Sequence, residues 1–296
     1  VLSHFGLGDQ SFNDMQYNGL VEAYLKHTIS AAFRVPRSPS RQDIDKAFSE
    51  LINDEQCNTI IAGEAWLMKD SLLEFTSRYA NVDFVVFDYH FADRPNLVTA
   101  LFAQEDGSYA AGYLAARFSS SGRIGFIGGV DVPIVKEFEA GFQRGARRAR
   151  PDIRIETSYI SKLPDFSGFV SPKKGHEQAT SMCDSGVDVI FSVAGTTGNG
   201  VIQAARERKR YVIGVDSNQD HLAPGTVLTS MMKRLDRAIM SIISQKVAGR
   251  LTGGIQRFTY ANGGISLTEM EFTKTNIHPR ILADLQRIER EMGARE

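Results

Sequence analysis

Cysteine is scarce in this chain of 296 residues: there are 2, Cys57 and Cys183, far apart and in no CxxC pair. That excludes a disulfide framework and a cysteine zinc site. Each stands beside an apolar run, so both are expected to be buried, inert thiols. Long apolar runs are lacking too. No stretch of about 18 apolar residues occurs, so nothing is expected to span a bilayer. Nor is there an excess of one charge. Lys+Arg 34 against Asp+Glu 35 leaves a net charge of -1, which argues against nucleic acid or an anionic membrane surface as the main partner. The 6 histidines show no metal-ligand spacing, and GxSxG, HExxH, a kinase set and GxxxxGK[ST] are missing. Gly128-Gly129 does not complete a GxGxxG. No catalytic residue, metal or resident cofactor is therefore expected.

What remains is an ordinary globular composition, with 42% hydrophobic and 23% charged residues. The length suits two domains or two lobes of one fold. No signal peptide is visible, and Val1-Leu2 already reads as a strand, as in a chain whose leader has been removed.

Short apolar strands alternate with helical stretches. Thr59–Gly63, Phe84–Phe87, Leu97–Phe102, Ile124–Ile127, Ile153–Ile160, Val187–Phe191, Tyr211–Val215 and Val227–Thr229 read as strands, with Ala31–Phe33 as a further strand-like piece. Between them, apolar residues recur at helical spacing, as in Tyr17-Leu20-Val21-Tyr24 and Val135-Phe138-Phe142. Leu235–Val247 reads as an amphipathic helix. Pro279–Arg295, with Arg280, Arg287, Arg290 and Arg295, is expected to be a solvated surface helix. Such alternation predicts βαβ units on parallel sheets covered on both faces. The pattern runs twice, with the first round closing near Gln104.

Ligands of such folds bind at the carboxyl ends of strands. Gly8-Asp9-Gln10-Ser11-Phe12-Asn13 lies at the first strand-to-helix passage. It offers a carboxylate, a hydroxyl, a flat ring and an amide, a set able to stack on a ring and bond its edges. Asp9 and Ser11 are equally good helix-capping residues, and Phe12 equally good core. Both readings stand on the residues alone. Phe191 leads into a glycine run through Gly195, Val215 into Asp216-Ser217-Asn218, and Gly63-Glu64-Ala65 into the single tryptophan, Trp66. Trp66 can wall a pocket or pack on the next helix. Phe166 and Phe169 are loop aromatics that would cover a cleft. Lys233 is placed in the first turn of the helix after Thr229-Ser230, where a cation opposes the helix dipole by about 0.3–1 kcal/mol. Asp216 is its candidate partner.

Taken together, Asp9–Asn13, Gly63…Lys69-Asp70, Asp106–Gly112, Gly128-Gly129 with Phe138–Phe142, Gly186–Ile190, Ala194–Gly200, Gly214–Asp216 and Ser230–Lys233 resemble the basic membrane protein family of solute-binding lipoproteins of ABC importers. The resemblance implies a type I periplasmic-binding fold: α/β, with two doubly wound parallel-sheet lobes joined by a three-strand hinge. The lobes are expected at 1–104 plus 231–260 and at 105–230 plus 261–296. It implies a ligand held between them without chemistry, a membrane permease as partner, a monomer, and a lipid anchor on a cysteine before Val1. Carried over, Phe12 stacks on the ligand ring, Asn13 bonds its edge, and Asp216 and Lys233 hold sugar hydroxyls. Asp9, Trp66, Phe191 and Gly195 complete the expected set. Gln104 stands where the nucleoside receptors look to have an acid, and Trp66 replaces a smaller aromatic. An amide both donates and accepts, which suits the uracil-like edge of a flavin. The chain therefore looks similar to the riboflavin-binding spirochaete branch: riboflavin is the expected ligand, a purine nucleoside the alternative. Rivals from other classes are a nucleoside-hydrolysing enzyme and a sensor core.

Overall fold

The computed structural model describes residues 1–294. In chain order the first elements are α1 (Phe12–Lys26), α2 (Arg41–Ser49), β1 (Thr59–Ala62), α3 (Ala65–Arg78), β2 (Asp83–Phe87) and β3 (Leu97–Phe102). Next come α4 (Gln104–Phe118), β4 (Arg123–Asp131), α5 (Pro133–Ala149), β5 (Arg154–Lys162), α6 (Pro172–Asp184), β6 (Val189–Val193) and α7 (Thr197–Glu207). The chain continues with β7 (Tyr211–Asp216), β8 (Val227–Lys233), α8 (Leu235–Val247), β9 (Gly254–Phe258), β10 (Ile265–Leu267) and α9 (Pro279–Gly293).

Two compact units result. The first comprises Val1–Gly8, Asn13–Phe102 and Arg234–Phe258, the second Asp9–Phe12, Ala103–Lys233 and Thr259–Glu296. Asp9–Phe12, placed by the sequence with the first segment, group with the second unit.

In the first unit the sheet order is β1-β2-β3-β9, all parallel. Leu2 adds isolated parallel bridges to Arg34 and Ala62. Ala31–Phe33 forms no strand, since Arg34 alone pairs there. The core is aromatic and aliphatic. Phe48, Phe75 and Phe84 are fully buried, with ring centroids 5.2 and 6.3 Å from Phe48, and Leu2, Leu51 and Leu72 pack around them. Burial of each such ring contributes about 1.5–3 kcal/mol. α2 starts where Ser40 Oγ accepts from Asp43 N (3.2 Å), a side-chain cap.

In the second unit the order is β10-β8-β7-β6-β4-β5, with β10 alone antiparallel. β4 and β6 carry near-continuous buried runs, as expected for strands covered on both faces. Phe126, Phe142 and Phe191 form the aromatic core. α4 and α5 pack very closely: a Cβ at Gly141 would overlap the carbonyl oxygen of Glu105, and one at Gly145 that of Tyr109. Asp188, at the edge of β6, ties down the turn after α4. Its carboxylate accepts from Ser119 Oγ (2.6 Å), Ser120 N (2.8 Å) and Ser121 N (2.7 Å).

Three sequence expectations change. β8 runs on to Lys233, beyond the expected Thr229, because Ser230 to Met232 pair with β7 on one side and Met231 to Lys233 with β10 on the other. Lys233 thus ends a strand, and α8 begins only at Leu235, so the helix-dipole conflict inferred for it does not exist. α9 is not wholly solvated: Ile281, Leu285, Ile288 and Met292 are buried on one face while its arginines lie outside. Arg295, assigned to that helix, lies outside the described residues.

Among the described residues no helix is long and apolar enough to cross a membrane. Both cysteines are free. Cys183 is buried, with its thiol pushed up to about 11 by that burial, and Cys57 is half-buried and likewise raised. A thiol so raised carries little thiolate at neutral pH, and thiolate is the reactive form.

Candidate functional site

Four of the candidates meet at the carboxyl ends of strands in the second unit. Phe12 is the first residue of α1. Asp216 closes β7, and Lys233 closes the neighbouring β8, with Asp216 in register with Met232. Asp9 lies just upstream. Its Oδ1 accepts from Ser11 N (2.9 Å), and Ser11 Oγ in turn donates to Asp216 Oδ2 (2.6 Å). The loop before α1 is therefore fastened to the end of β7 through the Ser11 hydroxyl, with the Asp9 carboxylate holding the Ser11 backbone amide. Asp9 performs the turn-capping role open to it, and through Ser11 that same turn positions Asp216.

Lys233 is 2% exposed. Its Nζ stands 5.4 Å from the centroid of the Phe12 ring and 5.7 Å from that of Phe138 on α5. Both distances are within the range of cation–π attraction, about 0.5–2 kcal/mol for each ring. Buried cations persist only where such compensation exists. Asp216 adopts φ +66°, a left-handed conformation uncommon for a residue with a side chain and met at functional sites. The bend is held from behind. Gln219 Oε1 accepts from Val215 N (3.0 Å), Gln219 Nε2 donates to Gln10 O (3.0 Å), and Ser230 Oγ accepts from Gln219 N (3.0 Å) and donates to Asp220 Oδ1 (2.7 Å). Burial raises the Asp220 carboxyl above its usual range.

Gln104 opens α4 and is 3% exposed. Its Nε2 donates to Glu137 Oε2 on α5. Gln104 Oε1 is buried and meets no hydrogen-bond partner. The α4–α5 approach permitted by Gly141 and Gly145 is what brings these two side chains within reach.

Gly195 follows β6 at φ +55°, where a side chain would be strained, and a Cβ there would lie 3.1 Å from Phe169 O. The loop aromatics divide: the Phe169 ring packs on Gly129, and Phe166 is half-buried. The glycine run that follows opens α7, as a tight turn into a helix would.

Phe191 is a correction. Its ring is wholly buried between Phe126, Phe138 and Phe142, at centroid distances of 5.8, 6.4 and 5.4 Å. It sits mid-strand in β6, which runs on to Val193, so its side chain faces the core instead of the strand end. It supports the site by backing Phe138.

Asn13 and Trp66 belong to the first unit. Asn13 Oδ1 accepts from Ser3 Oγ (2.6 Å), which also lies 3.1 Å from Glu64 Oε1. Glu64 Oε2 accepts from His4 N (2.9 Å). Trp66 is half-buried in the first turn of α3. Asp88 follows β2 at φ +62°, and its amide donates to Ala100 O (3.0 Å).

Residue reasoning missed Glu137 and the part Phe138 plays. Phe138 showed as one apolar position of a helical stripe. Glu137 carried no local signal, because its meaning comes from a partner 33 positions away. No group of acidic, histidine or cysteine side chains suited to a metal ion occurs among the described residues.

The geometry can be set beside known proteins. A model of the Bmp family, described as ABC transporter substrate-binding protein PnrA-like, matches residues 1–289. The chain is similar to basic membrane protein D of Borreliella burgdorferi (strain JD1), with 33% identity over 235 residues, 77% of this chain and 67% of that one. It is also similar to the ABC transporter nucleoside-binding protein BmpA of Lactococcus lactis subsp. cremoris (strain MG1363), with 27% identity over 88% of this chain and 78% of that protein. In fold it is similar to the crystal structure of an ABC transporter system solute-binding protein from Aeropyrum pernix K1. There the TM-score is 0.88 at 22% identity, covering 99% of this chain and 90% of the other.

Proposed function

Since the chain belongs to the Bmp family of PnrA-like ABC transporter substrate-binding proteins, with a type I periplasmic-binding-like fold, we propose that its solute is a purine nucleoside, captured without chemistry and passed to a membrane permease. The observation that carries this is the grouping of Phe12, Phe138, Lys233 and Asp216 at the strand ends of the second unit. The Phe12 ring stacks on the base, adding about 0.5–1.5 kcal/mol beyond area burial. Asp216 accepts from ribose hydroxyls and Lys233 donates to them, so a neutral polyhydroxylated group lies between an acid and a base with its bonds filled. No resident cofactor or metal takes part. The protein acts outside the cytoplasmic membrane as a lipid-anchored monomer.

Riboflavin is the second reading. Its ribityl hydroxyls would use the same Asp216 and Lys233. Two things support putting the nucleoside first: the Lactococcus relative named as nucleoside-binding, and the Glu137 carboxylate that stands against Gln104.

The test is equilibrium titration of the purified protein with guanosine, inosine and riboflavin, followed by calorimetry and by the fluorescence of Trp66, with the nucleoside recovered and chromatographed afterwards. Saturable 1:1 binding of guanosine or inosine and recovery of intact nucleoside is the expected result. Binding of riboflavin alone reverses the order of the two readings. Free base in the recovered ligand overturns capture without chemistry.

A further inference from the structure

Gln104 is a buried amide with one end fixed and the other empty. A carboxylate only accepts hydrogen bonds, so the end of the Gln104 amide that faces Glu137 Oε2 must be its NH2. The carbonyl oxygen Oε1 is then turned away from Glu137, and it is the atom left buried without a partner. An amide in water can turn over to suit its neighbour. This one cannot, because a flipped amide would set its oxygen against the carboxylate oxygen of Glu137, two acceptors in contact.

We propose that Glu137 locks Gln104 as a hydrogen-bond acceptor and that Gln104 Oε1 is thereby a specificity-determining atom, selecting a ligand whose heterocycle presents an N–H donor edge. This rests on the nucleoside reading of the site and narrows it to 6-oxopurine bases, which carry N1–H beside their carbonyl. Guanine adds a second donor, its 2-amino group, suited to the neighbouring carboxylate. A flavin edge meets the same pair badly. Its single N–H is flanked by two carbonyl oxygens, so bonding Oε1 brings a ligand acceptor toward the Glu137 carboxylate. An adenine edge offers the acceptor N1 where a 6-oxopurine offers a donor.

The placement suits that role. Glu137 immediately precedes Phe138, whose ring lies under Lys233 Nζ. Gln104 heads α4, and α4 in turn packs its Gly107 against Met231 of β8. The dyad, the Phe138 ring and the cation therefore stand on elements packed on one another within the second unit. A missing acid at position 104 is thus supplied from α5, with the glutamine as its fixed extension. The amide's versatility, which made riboflavin attractive from sequence, is removed by that contact.

The experiment measures dissociation constants of wild type, Gln104→Met and Glu137→Gln for guanosine, adenosine and riboflavin by calorimetry, with circular dichroism confirming that each variant is folded. Wild type is expected to rank guanosine first. Gln104→Met removes the acceptor at similar volume, and its guanosine affinity falls by about tenfold or more. Glu137→Gln releases the amide to turn, so the guanosine-to-riboflavin affinity ratio falls by about tenfold or more while riboflavin itself binds no worse. Wild type binding guanosine with both variants keeping its ratio within about twofold overturns the acceptor lock and leaves the nucleoside reading standing. Wild type preferring riboflavin overturns the lock and reverses the order of ligands. Failure of all three ligands to bind wild type overturns both.

Discussion

Replacing Lys233 with methionine keeps the apolar stem and removes one charge. Lys233 is 2% exposed, and its Nζ lies 5.4 and 5.7 Å from two aromatic centroids. Two cation–π contacts contribute about 1–4 kcal/mol together, from about 0.5–2 each. Against that stands the desolvation of a buried ammonium, several kcal/mol, for which a well-packed apolar replacement is often neutral or stabilising by about 1–4 kcal/mol. The two effects oppose one another, so stability is expected to change less than affinity does. Ligand affinity has no such cancellation. A hydrogen bond from a charged donor to a hydroxyl is worth about 1.5–3 kcal/mol, which at 1.4 kcal/mol per decade is a loss of about 10- to 150-fold. Lys233→Met should thus separate binding from folding. Guanosine titration by calorimetry and thermal unfolding without ligand measure the two. An affinity within twofold of wild type refutes the assignment of Lys233 to the ligand. A loss of affinity matched by unfolding of the variant refutes the claim that its charge is dispensable to the fold.

Two further substitutions probe the same site. Phe12→Ala should weaken ligand binding by about tenfold or more, because it deletes the ring proposed to stack on the base and one of the two faces beside Lys233, whereas Asp88→Ala, just after the first unit's β2, should leave calorimetric affinity near wild type; equal losses would count against stacking by Phe12. Gly141→Ala should destabilise the protein by about 1–3 kcal/mol in a denaturant melt, since its Cβ has no room against the Glu105 carbonyl, and should lower guanosine selectivity by displacing Gln104 from Glu137. A Gly141→Ala variant with an unaltered melt would show that the close helix approach is not tight.

The α/β alternation was legible because the buried strands are short apolar runs, Phe84-Val85-Val86-Phe87 and Ile124–Ile127 above all, and the amphipathic helix α8 emerged with its bounds, Leu235–Val247. Expectation failed where polarity hid burial. Ser230 and Lys233 read as the end of a strand and the start of a helix, yet pairing with β7 through Met232 and with β10 through Lys233 extends β8 across them. Charge likewise hid α9: its arginines suggested a solvated rod, while Ile281, Leu285, Ile288 and Met292, at intervals of four, three and four, trace a buried stripe. Phe191 erred in the other direction. Its place at the end of an apolar run suggests a ligand contact, but two further residues of β6 lie beyond it and the ring belongs to the core. Within the site, Phe12 was visible in the loop entering a helix, Asp216 at a strand end, and Lys233 as a cation expected in the first turn of a helix. Their mutual arrangement was not, since it depends on Ser11 bridging 205 positions to Asp216 and on α5 delivering Phe138 beneath the cation.

Fold and selectivity meet in the α4–α5 pair. Two helices normally run 8–10 Å apart, a distance set by the side chains between them. Glycine at 141 and 145 removes those side chains at the two points where the α5 backbone passes the carbonyls of Glu105 and Tyr109. That near approach brings the head of α4 beside Glu137, one residue before the aromatic that underlies Lys233. The acid and amide proposed as the polar edge of the site are therefore positioned by missing atoms, the nearer one helical turn from Glu137. A glycine-to-larger change there would act on ligand choice without touching a ligand-contacting side chain. Conversely, exchanging Gln104 for an acid would set two carboxylates together at Glu137 and turn an acceptor held by a donor contact into a site of charge repulsion. The amide at 104 and the acid at 137 are complementary as a pair, and neither has the same meaning alone.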